Sequence, residues 1–431
     1  MKKVLMIYPY FSTGIKKDQL FPPLGIAMLS GVLKGMGIEV MKLDCTFLDI
    51  DEAVKRAAEF DAQITGIYVM TTLSENALNI LKRLRGKRPD SIYIAGGPLP
   101  TLYPQRFAEK FDYVFRGEAT IAFTKFCSDY MASFEKTGFM EAMDPEEYPG
   151  IFSGSGLESE PVHLEKIEID SCPIPDRSGF DHEKYQKVSF ESTGRKSASI
   201  MMTYGCPFSC DFCSKPIFGS CVRFRSLDRV FEEIYDIISY GYDSLWIADD
   251  LFTYDMGFLK MFCKRLIRED IGISWSCLSR VDSVTGDIAA LMKMAGCKKV
   301  YLGIESGSDE VLRLMNKKIT PKDVISGVDT FKNSGLECSG FFIVGYPGET
   351  VQTIEKTFEF ALSLGLDEIS FNVPYPLPGS KLYERVSGIS DEDWTFENET
   401  RFLYESEFDE NWLSKRIRQT MEEFERVKMT L

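Results

Sequence analysis

Histidine is almost absent: His163 and His182 are the only two in 431 residues, too few to build an imidazole metal centre of their own. Long apolar runs are missing as well. No stretch approaches the ~20 residues of a membrane-spanning helix, and the N-terminal MKKVLMIYPYF breaks at Pro9 before it can act as a secretory signal. Positive charge is in deficit, with 50 Lys and Arg against 65 Asp and Glu and a formal charge of −15. That balance opposes attraction to phosphate backbones, and no basic run is interleaved with aromatics, so nucleic acid is not an expected partner. The odd count of eleven cysteines disfavours a closed disulfide framework. Without an export signal, a reducing, cytoplasmic setting is expected, with thiols in the core or on metal. Cys45, Cys127, Cys172, Cys263, Cys277, Cys297 and Cys338 are scattered and read as core thiols.

Cys206, Cys210 and Cys213 lie together in TYGCPFSCDFCS. Three thiolates with no obvious fourth suit a [4Fe–4S] cluster that keeps one iron open for a chelating molecule. The alternatives are a structural zinc knot recruiting Cys221, or plain core thiols. Zinc sites usually pair cysteines two by two, whereas one x3 and one x2 gap share this loop.

Residues 1–125 alternate short apolar runs with amphipathic helices, the pattern of a doubly wound parallel sheet. Strands are expected at Val4–Tyr8, Ile38–Leu43, Ile64–Met70, Ser91–Ala95 and Tyr113–Arg116. A first helix opens at FPPLG and carries Ile26, Leu29 and Leu33 on one stripe. Ligands bind at the carboxyl ends of such strands. The loops there supply Thr71, Thr72, Ser74 and Thr101 as hydroxyls and Gly96, Gly97 and Gly117 as bare backbone, followed by Glu118. Individually, such glycines mark tight turns and such hydroxyls cap helices. Residues 126–196 read as a connector, with an extended proline-bearing stretch DSCPIPDRSGFD.

From 197 to 385, six β runs alternate with helices: Ser197–Thr203, Ser244–Ala248, Ile273–Leu278, Lys299–Ile304, Glu337–Val344 and Glu368–Val373. This is the pattern of a partial (β/α)6 barrel, whose chemistry sits at the C-terminal strand ends. The cysteine loop follows the first strand. Asp249 and Asp250 end the second, Arg280 follows the third, and Glu305 with Ser306 ends the fourth. Gly340 and Gly345 flank the fifth and leave room for a flat ring, with Glu349 after them. A salt bridge or helix cap explains any single one of these. Residues 386–431 form a C-terminal helical region whose aromatics Trp394, Phe396, Phe402, Tyr404 and Trp412 suit either a substrate lid or packing on the barrel.

The segment CPFSCDFC resembles the CxxxCxxC signature of the radical S-adenosylmethionine (SAM) superfamily. PPLG, Gly96-Gly97-Pro98 and Arg116-Gly117-Glu118 resemble the cobalamin-binding domain that precedes many barrels of that superfamily, though Leu99 stands where the family often has His and no DxHxxG motif is present. The resemblance implies a [4Fe–4S] cluster on the three cysteines, metal-bound SAM, and cobalamin held between the domains by the loop residues above, without a histidine ligand. It places Gly205 at SAM's methionine end, Glu305 and Ser306 near the ribose, Gly345 near the adenine, and Asp249, Asp250 and Arg280 facing SAM or substrate. Lys215 and Arg223 would lie near the cluster. The implied enzyme is a class B methyltransferase that alkylates an unactivated carbon through a 5′-deoxyadenosyl radical and methylcobalamin. Its substrate would be a small molecule, lipid or peptide, and its reductant an electron donor such as flavodoxin or ferredoxin. The alternatives are a cyclase, ring-contraction or carbon–carbon bond-forming enzyme, or a non-catalytic iron–sulfur or zinc protein.

Overall fold

The computed structural model describes residues 2–12, 20–137, 144–159, 169–215, 217–389 and 401–430. The chain divides into two compact units, one of Met1–Ser199 with Pro216–Tyr242, the other of Ile200–Lys215 with Asp243–Leu431.

The first unit is built on strands β1 (Lys3–Tyr8), β2 (Glu39–Asp44), β3 (Ile64–Tyr68), β4 (Ile92–Gly96), β5 (Tyr113–Phe115) and β6 (Ile151–Phe152). Their order is β2-β1-β3-β4-β5-β6. The first five pair in parallel, while β6 adds an antiparallel edge. Val4–Ile7 is buried throughout, as a parallel strand covered on both faces requires. The opening helix, Leu24–Gly35, buries Ile26 and Leu33 as its stripe predicts. β6 was not legible in the sequence because two residues carry no periodicity; its pairing is set by Tyr148 and Ile151 packing under β5.

The proline-bearing connector is pinned from both sides within this unit. Asp176 takes Lys34 at 2.7 Å and also pairs with the buried Lys42. Those lysines hold its carboxyl well below the usual carboxylate range, although its own partial burial pushes the other way. Next to it, Arg177 reaches Glu233 at 2.6 Å and the Ser199 carbonyl at 2.8 Å. Glu233 sits fully buried on the apolar face of helix Leu227–Ser239, and Arg225 is its second partner. A carboxylate there is tolerable only because two guanidinium groups meet it.

In chain order follow β7 (Ser197–Ile200), β8 (Thr203–Tyr204), β9 (Arg223–Phe224), β10 (Ser244–Ile247), β11 (Ser274–Ser279), β12 (Cys297–Glu305), β13 (Glu337–Ile343) and β14 (Glu368–Asn372). The larger sheet runs sequentially, β7-β10-β11-β12-β13-β14, with parallel pairing from β10 to β14. Sequential order with a helix after each strand is the layout of a (β/α)6 partial barrel. Helix Pro321–Asn333 shows how its ends are fixed: Thr320 and Asp323 form a capping box and Pro321 occupies the first turn.

The C-terminal helix, Glu410–Thr430, lies along helix Val351–Ser363, with Arg416 bonded to Glu355. Phe402, Tyr404 and Leu413 share a buried cluster with Val344, Ile354 and Phe358, and Trp412 packs against it. These tail aromatics therefore complete the core of this unit instead of lining a pocket. Trp394 and Phe396 lie outside the described residues.

Candidate functional site

The cysteine loop hangs between β8 and the turn that follows it, and its ties are to backbone. Gly205 adopts φ +88°, a conformation open to glycine at little cost, and reverses the chain just before Cys206. Lys215 closes the loop by donating to the Cys206 carbonyl at 2.7 Å and to the Phe208 carbonyl. Asp211 N–H donates to Met315 O at 2.9 Å, and Asn316 Nδ2 to Ser209 O at 2.7 Å. From the other side, Leu382 N–H donates to Asp211 O at 2.8 Å and Ser214 Oγ to Pro378 O at 2.7 Å.

The loop's thiols differ from most of the others. Cys45, Cys127, Cys263, Cys277, Cys297 and Cys338 are buried, whereas Cys206 and Cys210 are half-buried and Cys213 is exposed; Cys172, expected in the core, is only half-buried, and Cys221 is exposed but lies outside the loop. Desolvation pushes the Cys213 thiol up to about 11, and the neighbouring Cys210 and Cys206 push the same way. Cys210 is raised by desolvation too, with Lys317 and Arg280 opposing and Glu305 adding to it. Thiolates crowded in this way are stabilised by coordination to iron. Among the described residues no three His, Cys, Asp or Glu side chains close around a single metal ion. A cubane cluster needs no such closure, because each thiolate meets a different iron. Soft, accessible sulfur donors on one loop thus fit a [4Fe–4S] group.

The polar strand ends sort into distinct tasks. Asp249 is wholly buried and accepts from Met202 N–H at 2.7 Å and Thr203 N–H at 2.9 Å. It clamps the strand that leads into the cysteine loop and does not face a ligand. Burial lifts its carboxyl to about 7 against those hydrogen bonds. Asp250, exposed beside it, is raised by desolvation and lowered by Lys215 and the Gly205 backbone. Arg280 grips Asp282 with two bonds of 2.9 Å and lies 4.0 Å from the Phe208 ring centroid. Ser306 is buried and bonded to Thr357 at 3.0 Å and to Ser308 N–H at 3.1 Å. Its hydroxyl shapes the turn after β12.

Gly345 corrects an expectation. The space beside it is filled by the chain's own Phe402, whose ring would lie 2.6 Å from an added Cβ, and its carbonyl accepts from Tyr404 at 3.3 Å. The flat ring for which the glycine leaves room is an internal one. Glu349, after it, is buried and accepts from Tyr346 N–H at 2.7 Å. Burial raises its carboxyl to about 7. A group whose folded value exceeds the unfolded one stabilises fully below the unfolded value and less as pH rises through the folded value. From about pH 4.5 to 8, wild type is therefore expected to lose about 3 kcal/mol more stability than Glu349→Gln. Urea midpoints followed by tryptophan fluorescence check this; parallel pH profiles would refute it.

In the first unit, the β2-β1-β3 order makes β1/β3 the point where strand order reverses, the usual ligand crevice of an open α/β sheet. Tyr8 at the end of β1 stands 5.7 Å from Tyr68 at the end of β3 and 6.1 Å from Tyr10. Burial raises the Tyr68 hydroxyl to about 12. These rings were missed in the sequence because YPYF reads as a strand running out into proline. Gly97 has φ +117°, and a Cβ there would meet the Val69 carbonyl at 2.6 Å, while one on Gly96 would meet nothing. Gly117, at φ +68°, donates to Thr101 Oγ1 at 2.9 Å. Ser74 Oγ bonds the Thr71 carbonyl at 3.1 Å in the turn that also holds Thr72. Glu118 pairs with Arg223 at 2.6 Å, so those two are committed to each other. Both ring nitrogens of His182 are engaged, by Tyr242 and by the Arg177 carbonyl, and His163 lies outside the described residues. Open backbone and aromatic rings at a switch point fit a large planar cofactor.

A sequential parallel barrel with a three-cysteine loop after its first strand, and a doubly wound unit before it, define a radical SAM architecture with a corrinoid-type domain. Residues 200–361 match the radical SAM superfamily, and residues 14–126 the B12 binding domain. The uncharacterized methyltransferase PH0819 of Pyrococcus horikoshii is 31% identical over 89% of this chain and 82% of its own length. The anaerobic magnesium-protoporphyrin IX monomethyl ester cyclase of Rubrivivax gelatinosus is 26% identical over 89% of this chain and 70% of its own. The structure of the radical SAM methyltransferase TsrM from Kitasatospora setae, with cobalamin and a [4Fe–4S] cluster bound, superposes with TM-score 0.75 at 17% identity. It covers 90% of this chain and 78% of that one. The chain belongs to the radical SAM superfamily, among its enzymes that carry a B12 binding domain. No described helix is long and apolar enough to cross a membrane.

Proposed function

We propose that the protein is a cobalamin-dependent radical SAM methyltransferase acting on an unactivated carbon of a small molecule. The observation that carries this is the pairing of two donor sets in one chain: three accessible thiols on a strand-end loop, and a glycine- and tyrosine-lined switch point with no free described histidine. Cys206, Cys210 and Cys213 would hold the cluster. Gly205 and Asp250 would bound the methionine end of SAM; the Glu305 carboxylate, expected near the ribose, is instead taken by Lys317 at 2.6 Å. Gly96, Gly97, Gly117, Thr71, Thr72 and Ser74 would frame the corrinoid. When bound, the cluster supplies the electron that cleaves SAM and the corrinoid supplies a methyl carrier. The residues' own work is to fix SAM's orientation through the clamped loop and to keep the barrel mouth dry with the aromatics Phe208 and Phe212.

Stoichiometry tests the reading. With the true substrate and a low-potential one-electron donor, each methylated product should be accompanied by one S-adenosylhomocysteine and one 5′-deoxyadenosine. Deoxyadenosine formed in step with product, with no S-adenosylhomocysteine, would instead establish a radical cyclase, the activity named for the Rubrivivax relative.

A further inference from the structure

Beneath the cysteine loop lies a buried ion pair that the cluster, SAM and corrinoid sites leave unexplained. Lys317 Nζ meets Glu305 Oε1 at 2.6 Å, and each side chain is only 8% exposed. The fold makes room for this pair deliberately. Glu305 adopts φ +69°, in a region that costs a non-glycine residue about 1–3 kcal/mol, where the β12–β13 register shifts between Gly303 and Glu305. Gly303 is the notch: a Cβ on it would stand 2.7 Å from Glu305 Oε1 and 2.8 Å from Lys317 Nζ. Lys317 also faces the loop. Its ammonium lies 5.8 Å from the ring centroid of Phe212, the residue before Cys213, and its carbonyl accepts from Arg280 at 3.2 Å. Asn316, one residue earlier at φ +51°, holds Ser209.

A buried pair of this kind is not needed for stability, since well-packed apolar residues serve as well. Its placement under one face of the loop gives it another use. We propose that Lys317 is a positioning residue that sets the reduction potential of the cluster held by Cys206, Cys210 and Cys213, with Glu305 as its counter-charge. This rests on the cluster assignment above. Reduction brings one electron from a one-electron donor into the cluster and moves no proton. The added negative charge is felt by Lys317 and Glu305 across a low-dielectric interior that salt does not screen. Paired, the two charges nearly cancel; either one alone does not.

Opposite shifts are therefore expected from the two halves of the pair. Anaerobically reconstituted protein without SAM is titrated potentiometrically at alkaline pH, where a stranded carboxylate is ionised, and followed by electron paramagnetic resonance. Lys317→Met should make reduction at least tenfold less favourable, a shift of about −59 mV for a one-electron couple. Glu305→Gln should shift it positively by a similar factor. The double variant should return close to wild type, as should Lys317→Arg; if Lys317→Met fails to fold, the positive shift of Glu305→Gln carries the test. Shifts of the same sign, or none with four irons bound, would overturn the proposal. Wild-type protein that binds no iron would remove the cluster assignment itself and the proposal with it.

Discussion

Replacing Cys206, Cys210 and Cys213 together by alanine is expected to leave a folded chain that holds no iron–sulfur cluster and cleaves no SAM. Folding should survive because none of the three is part of a buried core cluster, and the loop is fixed by backbone bonds to Met315, Asn316, Pro378 and Leu382 that alanine leaves intact. Cluster binding should not survive, because the remaining described cysteines are either buried or lie outside the loop. Iron and sulfide analysis after anaerobic reconstitution, with 5′-deoxyadenosine release as the second readout, is the measurement. Four irons per chain in the triple variant would disprove the assignment.

Asp249→Ala should produce the largest loss of stability of any single change at the strand ends. It removes the acceptor for Met202 N–H and Thr203 N–H, both buried. Each donor stranded without water or protein partner costs about 1–3 kcal/mol, so a loss of about 2–6 kcal/mol is expected. The two backbone groups lie within four residues of Cys206, so iron content should fall as well. The described tryptophans, at 246, 275 and 412, belong to the barrel unit, so their fluorescence in urea reports this transition. A midpoint change equivalent to less than about 0.5 kcal/mol, the size of an ordinary surface substitution, would show that the clamp is dispensable.

The strands were legible because parallel, doubly covered strands are written as short apolar runs, and all eleven expected runs became strands within a residue or a few of the expected ends. The cysteine loop was legible because its spacing is local. What the sequence could not show is which polar groups face one another. Asp249 and Asp250 are adjacent and chemically alike, yet one is a buried clamp and the other is exposed. Nothing in LMNKK marks Lys317 as buried; two left-handed residues, Asn316 and Lys318, turn it inward. Gly345 advertised space for a ring without saying that Phe402, 57 residues later, would fill it.

The interleaving of the two units has a consequence for taking the protein apart. Because the first unit reclaims Pro216–Tyr242 after the chain has already entered the barrel, no single cut separates the units. A fragment ending at Ser199 would carry Arg177 with neither Glu233 nor the company of Arg225, leaving a buried guanidinium without its counter-ion. During synthesis the first unit must likewise wait for helix Leu227–Ser239 to emerge. Shuffling the corrinoid half onto a different barrel therefore means transplanting two segments, and the natural exchange unit is the pair of them.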